Sequence, residues 1–305
     1  MNIKELRSTI FHSQPCKKRI GRIESEGCIQ SLLSGSAISG RSFKVQATTG
    51  VYKIRVYDDT AVAKRIERYV LSCRSFMPPF VGRDGTFLVF SWLEGESLNK
   101  RTITLNDADA IGELYGKCHS QTPPYWVKVG RRVRGQTASH RILRILELFE
   151  ESYVQDPAIS NKQHYLIKMQ MLKFVSILKK DMVIECADST LSNFLRTEDG
   201  MYYVDEDGLR FDIKGIAIPE IFKHTSKVFH AKFLEGYGKY HNTKYLTPDY
   251  LEGLEYFYVL MKYDYCLRLY GPVATRTSLF RSKLLQGIDG KLLIAPLGHC
   301  SAPCI

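Results

Sequence analysis

The chain has 305 residues, 44% of them hydrophobic and 25% charged, so it can bury the core of one large domain or two lobes. No run of about 18 apolar residues occurs, and Met1-Asn2-Ile3-Lys4-Glu5-Leu6-Arg7 lacks the apolar centre of a secretory signal; a cytoplasmic protein without a membrane span is expected. The formal net charge of +11 favours an anionic partner, and the eight scattered cysteines are expected as reduced thiols.

Residues 1 to about 35 are mixed and polar, with one short apolar stretch near Ile29. From Ser42 to Tyr57 the pattern alternates in strand fashion around a turn at Thr48-Thr49-Gly50, which predicts a hairpin. Asp58-Asp59-Thr60 then caps a predicted helix from about Ala61 to Cys73, with Val62, Ile66, Tyr69 and Val70 on one face. A strand near Phe80-Val81, a turn at Arg83-Asp84-Gly85 and an apolar strand Thr86–Trp92 follow, ending in Leu93-Glu94-Gly95-Glu96-Ser97-Leu98. Beyond this linker, helices are predicted over Asp107–Ser120, Ser139–Tyr153, Gln163–Lys180, Pro219–Tyr240 and Pro248–Leu269, and the tail from Gly271 shows no period.

Between the third and fourth of these helices lies the segment richest in chemistry. Ile184-Glu185-Cys186-Ala187-Asp188-Ser189-Thr190-Leu191-Ser192-Asn193-Phe194-Leu195 reads as strand, tight loop and strand; Glu198-Asp199-Gly200 turns into Met201-Tyr202-Tyr203-Val204, which ends at Asp205-Glu206-Asp207. Phosphoryl transfer needs one carboxylate facing the attacking hydroxyl, and an amide plus a second carboxylate holding a divalent cation. Lys53, Arg55 and Tyr57 share one strand face by the period of two, and a cation there can reach phosphates if a carboxylate such as Glu67 in the next helix holds it.

This ribbon, with Asp-x-x-x-x-Asn and a later Asp, resembles the catalytic and metal-binding loops of kinases, and more narrowly of the aminoglycoside and choline phosphotransferase branch. The order strand, strand, helix, strand, strand, linker is similar to a kinase N-lobe. The resemblance spans roughly residues 38 to 270. It implies an α+β, two-lobed protein-kinase-like fold: a small antiparallel-sheet N-lobe with one helix (residues 1–95, with an extension over 1–35) and a larger, mainly helical C-lobe (residues 96–305). It also implies ATP and Mg2+ as cofactors. Asp188 would be the catalytic base or hydroxyl-orienting group, Asn193 and Asp205 the metal ligands, Lys53 or Arg55 the phosphate cation paired with Glu67, and the backbone at Ser91 to Leu93 the adenine contact. Where the family writes His-Gly-Asp, this chain has Cys186-Ala187-Asp188. The histidine mainly pins the loop, so its loss leaves the chemistry possible in principle, while alanine in place of glycine restricts the backbone. His119 is expected to pack or cap at its helix end.

A basic segment, Lys128, Arg131, Arg132, Arg134, His140, Arg141 and Arg144, falls where small-molecule kinases of this fold build the acceptor pocket. Guanidinium groups suit carboxylates and phosphates and repel a polycation, so Arg131, Arg132, Arg134 and Arg141 point to an anionic or phosphorylated sugar-type acceptor or glycan. The expectation is therefore a phosphotransferase acting on a hydroxyl. The alternative is a nucleotide-binding pseudokinase with a regulatory or partner-binding role. Nucleic acid is disfavoured, because neither zinc spacing nor an aromatic RNA-binding signature accompanies the charge.

Overall fold

The computed structural model describes residues 29–32, 40–121, 138–153, 156–178, 182–223 and 225–288. The chain divides into two compact units, Met1–Leu98 with Ser192–Leu209, and Asn99–Leu191 with Arg210–Ile305.

The N-terminal unit is built on a five-stranded antiparallel sheet in the order β1-β2-β3-β5-β4, from β1 (Ile29–Leu32), β2 (Gly40–Ala47), β3 (Gly50–Tyr57), β4 (Phe80–Asp84) and β5 (Phe87–Ser91). The expected hairpin is β2–β3, closed by Thr48-Thr49 with Ala47 opposite Gly50. β1 adds a strand from the segment read as a polar extension: Ile29 pairs with Val45 and is buried. One sheet face carries Phe43, Val45, Ile54, Val56, Phe87 and Val89, all in the core. The other carries Leu88 and Phe90, fully buried, and their cross-strand partners Arg55 and Lys53. Helix α1 (Thr60–Ser72) contacts β3, β4 and β5, buries Ala63, Ile66, Tyr69 and Val70, and is capped by Asp59, which accepts from the Ala61 amide at 2.7 Å. Such a cap contributes about 1 kcal/mol.

The ribbon expected in the C-lobe belongs to this first unit over Ser192–Leu209. Strand β6 (Glu96–Ser97) pairs with β8 (Phe194–Thr197), which pairs with β9 (Gly200–Tyr203). The Leu98 amide donates to Phe194 O at 3.0 Å and the Tyr203 amide to Phe76 O at 2.8 Å. Gly95 permits this approach: a Cβ there would run into Arg196 O and lie 3.0 Å from Thr197 Cγ2. Long-range backbone pairing moves the boundary from residue 95 to Leu98 and brings 192–209 across.

The C-terminal unit is mainly helical. Helix α2 (Leu105–Ser120) opens with a capping box between Thr104 and Asp107. Helices α3 (Ala138–Tyr153) and α4 (Asn161–Leu178) match their sequence signals. Strand β7 (Met182–Cys186), buried throughout, pairs with β10 (Leu209–Ile213), a strand the sequence pattern did not announce. The predicted helix Pro219–Tyr240 is two, α5 (Ile218–Phe222) and α6 (Lys227–Gly238), because Ser226 leaves the helix to cap the second through the Phe229 amide. Helix α7 (Pro248–Tyr270) is buried on most sides, including Leu254, Phe257, Leu260 and Tyr263. A final helix, α8 (Thr275–Ile288), falls in the tail read as aperiodic. It is tied down by Arg281, which donates to Asp156 Oδ2 at 2.7 Å, while the Tyr263 hydroxyl donates to the same oxygen at 2.7 Å. No helix among the described residues is long and apolar enough to cross a membrane.

Candidate active site

The ribbon of the N-terminal unit brings Asn193 and Asp205 to one end. A 3-10 turn, Leu191–Asn193, feeds directly into β8, and the register sets Phe194 opposite Tyr203. One residue further on, the Val204 amide donates to Asn193 O at 2.9 Å, so Asn193 faces the residue that precedes Asp205. A second 3-10 turn, Glu206–Gly208, begins at Asp205 and is closed by the Gly208 amide donating to Asp205 O at 3.1 Å. Gly208 is required here: a Cβ would overlap the Tyr203 hydroxyl and fall 2.8 Å from Asp205 Oδ2. The bare backbone keeps a place for the Asp205 carboxylate beside the ribbon. An amide oxygen and a carboxylate oxygen are hard donors of the type Mg2+ accepts, the rest of its shell coming from water and phosphate oxygens. The residues present therefore fit the ion, although no cage of three or more His, Cys, Asp or Glu side chains exists among the described residues.

The cations of β3 meet this same turn. Lys53 Nζ donates to Glu206 Oε2 at 2.6 Å and to Val204 O at 2.7 Å. Arg55 donates to Asp207 and, at 2.9 Å, to Ser42 Oγ, and its Nε lies 3.8 Å from Glu206 Oε1. The Tyr57 hydroxyl donates to Asp207 Oδ1 at 2.6 Å. Burial, reinforced by the charges of Glu206 and Asp207, pushes the Tyr57 pKa up and keeps its hydroxyl a donor. Burial opposes the charge on Arg55, but Asp207 and Glu206 outweigh it and raise the pKa. The Arg55 side chain is 5% exposed and that of Lys53 19%, so the two cations are not equivalent.

Glu67 does not take the place expected of it. Arg83 Nε donates to Glu67 Oε2 at 2.6 Å, and the β3 cations are held by Glu206 and Asp207. The reason is local: β4 carries an arginine where α1 passes it, and a guanidinium captures the nearest carboxylate. At the end of β5, the Ser91 amide donates to Pro79 O at 2.9 Å and the Trp92 amide to Val51 O at 3.0 Å; Leu93 follows, half-buried, beyond the last strand pair.

Asp188 belongs to the C-terminal unit, on the loop after β7, and its Oδ1 accepts from Thr190 Oγ1 at 2.8 Å. The loop is pinned without a histidine at position 186. The Tyr115 hydroxyl of α2 donates to Cys186 O at 2.9 Å, Ser189 Oγ donates to the same oxygen at 2.7 Å, and Cys118 Sγ donates to Ile184 O at 2.9 Å. Behind them His119 Nε2 lies 2.8 Å from Glu185 Oε1, its Nδ1 is 2.8 Å from the Tyr237 hydroxyl, and Glu185 accepts from the Gly215 amide. His119 is thus buried near the end of α2 between Glu185 and the Tyr237 hydroxyl. Cys73, Cys118, Cys186 and Cys266 are buried and form no disulfide among the described residues.

Of the four arginines expected to bind an acceptor, Arg131, Arg132 and Arg134 lie outside the described residues. Arg141 is described, and its guanidinium is 3.3 Å from Asp212, a carboxylate that also takes Arg210 Nε at 2.8 Å. Asp212 is buried and both arginines are partly exposed, so among the described residues two guanidinium groups share this one carboxylate.

Among solved structures, the choline kinase of Cryptosporidium parvum Iowa II superposes with a TM-score of 0.62 at 13% identity, covering 95% of this chain and 95% of that one. The ADP-bound aminoglycoside phosphotransferase APH(2'')-Ib gives 0.64 at 15% identity, covering 94% and 99%. The ethanolamine kinase of Plasmodium vivax gives 0.61 at 14% identity over 86% and 83%. The chain has the protein-kinase-like fold of the choline and aminoglycoside phosphotransferases. No protein-family model matches it, and no curated protein matches it in sequence. In this kinase-like fold, sequence reasoning missed Glu206, Tyr57, Tyr115, Arg210 and Asp212. The strand period already placed Tyr57 beside Lys53 and Arg55, and the acidic run after Asp205 was visible; what each one touches was not.

Proposed function

We propose that this protein is an ATP- and Mg2+-dependent phosphotransferase acting on a hydroxyl of a small molecule or glycan. The observation that carries the assignment is the bond from the Val204 amide to Asn193 O, which sets the two oxygen-donor residues side by side on one ribbon. Asn193 and Asp205 hold the metal. Lys53, the more exposed of the two β3 cations, meets the phosphates, and Arg55 braces the turn from within. Leu93 offers backbone to the adenine, since the amides of Ser91 and Trp92 are already engaged in the sheet.

Asn193 and Asp205 would hold a metal ion whose charge, when bound, would offset that of the phosphates. The residues do the rest by positioning. Asp188 accepts the proton of the acceptor hydroxyl, whose oxygen forms a bond to the γ-phosphorus; the bond from that phosphorus to the β–γ bridging oxygen breaks, and ADP leaves with the electron pair. The exchange of His-Gly for Cys186-Ala187 is compatible with this role, because Tyr115 and Ser189 hold the loop in the histidine's stead. For the acceptor, the two guanidinium groups of Arg141 and Arg210 around Asp212 favour an anionic or phosphorylated sugar-type molecule.

The test is a thermal shift with ATP, with and without Mg2+, on wild type and Asp205→Ala, followed by an acceptor screen with Asp188→Ala as control. Magnesium-dependent stabilisation that disappears in Asp205→Ala is expected. Asp188→Ala should keep nucleotide binding and lose at least about a hundredfold in turnover, the usual contribution of a positioned base. A wild type that ATP does not stabilise would overturn the assignment. Full activity in Asp188→Ala would remove that residue from it.

A further inference from the structure

We propose that Glu206, and not a carboxylate of helix α1, is the residue that positions Lys53 toward nucleotide phosphates, with Arg55, Tyr57 and Asp207 clamping the Glu206 turn to the sheet. The inference rests on the phosphotransferase assignment and specifies how its phosphate cation is held.

Three observations carry it. The only carboxylate of α1 on offer in the sequence pattern, Glu67, is engaged by Arg83 Nε at 2.6 Å. Glu206, 2% exposed, reaches Lys53 at 2.6 Å. Lys53 also donates to Val204 O at 2.7 Å, on the residue just before Asp205. An ammonium has three donors. Glu206 and Val204 take two and fix the direction of the third, which is the one left for a phosphate oxygen. The turn carrying Glu206 cannot swing, because its neighbour Asp207 is held twice, by Arg55 and by the Tyr57 hydroxyl at 2.6 Å.

The consequence is mechanical. A lysine held by a helix loses its aim when the helix moves. Here cation, carboxylate and metal-binding Asp205 sit on strand β3 and one short turn, so the contacts that aim Lys53 come from the turn and not from a side chain of α1. Glu206 is a positioning residue: it acts on phosphate through Lys53, and it should be silent toward a ligand that has no phosphate.

The experiment measures dissociation constants for ATP and for adenosine on wild type, Lys53→Met, Glu206→Gln, Glu67→Gln and the Lys53→Met/Glu206→Gln double variant. Glu206→Gln is expected to weaken ATP by about tenfold, as loss of one charge-assisted contact implies, and to leave adenosine unchanged. The double variant should be no worse for ATP than Lys53→Met alone, because both substitutions break one ion pair. Glu67→Gln should bind both ligands as wild type does. Equal weakening of ATP and adenosine by Glu206→Gln would reduce Glu206 to a structural role, and an ATP loss in Glu67→Gln would return the function to α1; either overturns the proposal. If Glu206→Gln does not fold, Glu206→Asp keeps the charge but withdraws it by one carbon, and the same phosphate-selective loss is expected. A wild type whose ATP binding is unaffected by Glu206→Gln overturns the inference alone, whereas a wild type that does not bind ATP takes the phosphotransferase assignment with it.

Discussion

In the N-terminal unit, the segment after Asp205 is held by charge: Lys53 and Arg55 on one side, Glu206 and Asp207 on the other, all in contacts of low exposure. In the C-terminal unit, the carbonyls of Cys186 and Ile184 before Asp188 are held by neutral groups, a phenol, a hydroxyl and a thiol, while the buried Glu185 carboxylate between them meets His119 and the Gly215 amide. The difference follows from what each segment must do. On the proposed assignment the turn would face phosphates and a metal and has to tolerate changing charge, which an interlocked set of ions redistributes. A loop that presents one carboxylate can be held at its backbone carbonyls, where neutral donors avoid the desolvation that buried charge demands, with its one buried acid, Glu185, set beside His119. On the same assignment, the pinning role expected of a histidine at position 186 is of a kind that the Tyr115 hydroxyl can fill.

That contrast can be broken experimentally, and the effects should descend in order. Arg55→Met leaves Asp207 and the buried Glu206 short of a partner and is expected to cost about 3–5 kcal/mol of stability, the usual result of removing one member of a buried pair; urea unfolding measures it. Should the cost be under 1 kcal/mol, the charged brace is decorative. Tyr115→Phe removes one neutral donor from a buried carbonyl, with an expected cost of about 1–2 kcal/mol. Turnover should fall in this variant while ATP affinity stays unchanged, since the phenol supports the Asp188 loop and not the nucleotide turn.

A third prediction concerns acid. Burial alone would raise the Asp156 carboxyl, but hydrogen bonds from Tyr263 and Arg281 overcome it and hold the pKa below the usual carboxylate range. A lowered folded pKa stabilises the fold fully above the unfolded value, about 4, and the contribution is lost as pH falls through the folded pKa. The melting-temperature gap between wild type and Asp156→Asn should therefore be widest near neutrality and close below about pH 4; a gap independent of pH would show that the ion pair with Arg281 does not hold α8. The smallest effect is reserved for Glu67→Gln. Its partner Arg83 is partly exposed, and pairs of this kind contribute about 0–1 kcal/mol, so chemical denaturation should barely register the change.

Elements with a strong period were legible in the chain: β2–β3, α1, β5, α2, α3, α4 and α7 lie within a few residues of their sequence signals. So was the ribbon, because turn residues at Glu198-Asp199-Gly200 and apolar strands either side leave few alternatives. Three elements escaped. β1 hid in a polar stretch, β10 was masked by Arg210 and Asp212, and α8 lacks an apolar stripe, burying only Thr277 and Leu284. In each case the stabilising contact is distant in sequence: Val45 for Ile29, β7 for β10, Asp156 for Arg281. Local pattern cannot register such a contact, since it exists only after the chain has closed.

Within the candidate site, the residue types and their order along the chain were determined by sequence alone: Lys53 and Arg55 on one strand face, Asp188 and Asn193 around one loop, Asp205 at the end of the ribbon. Strand and turn periodicity is a property of a few consecutive residues, and it survives in any environment. Which carboxylate meets which cation was decided only by the tertiary structure. Glu67 lies in the helix that follows the strand bearing Lys53, and Glu206 lies far along the chain, so the pattern points to the first. Arg83 takes the first, and the turn closed at Gly208 delivers the second, because ion pairing is settled by angstroms of separation in a partly buried site and not by spacing along the chain.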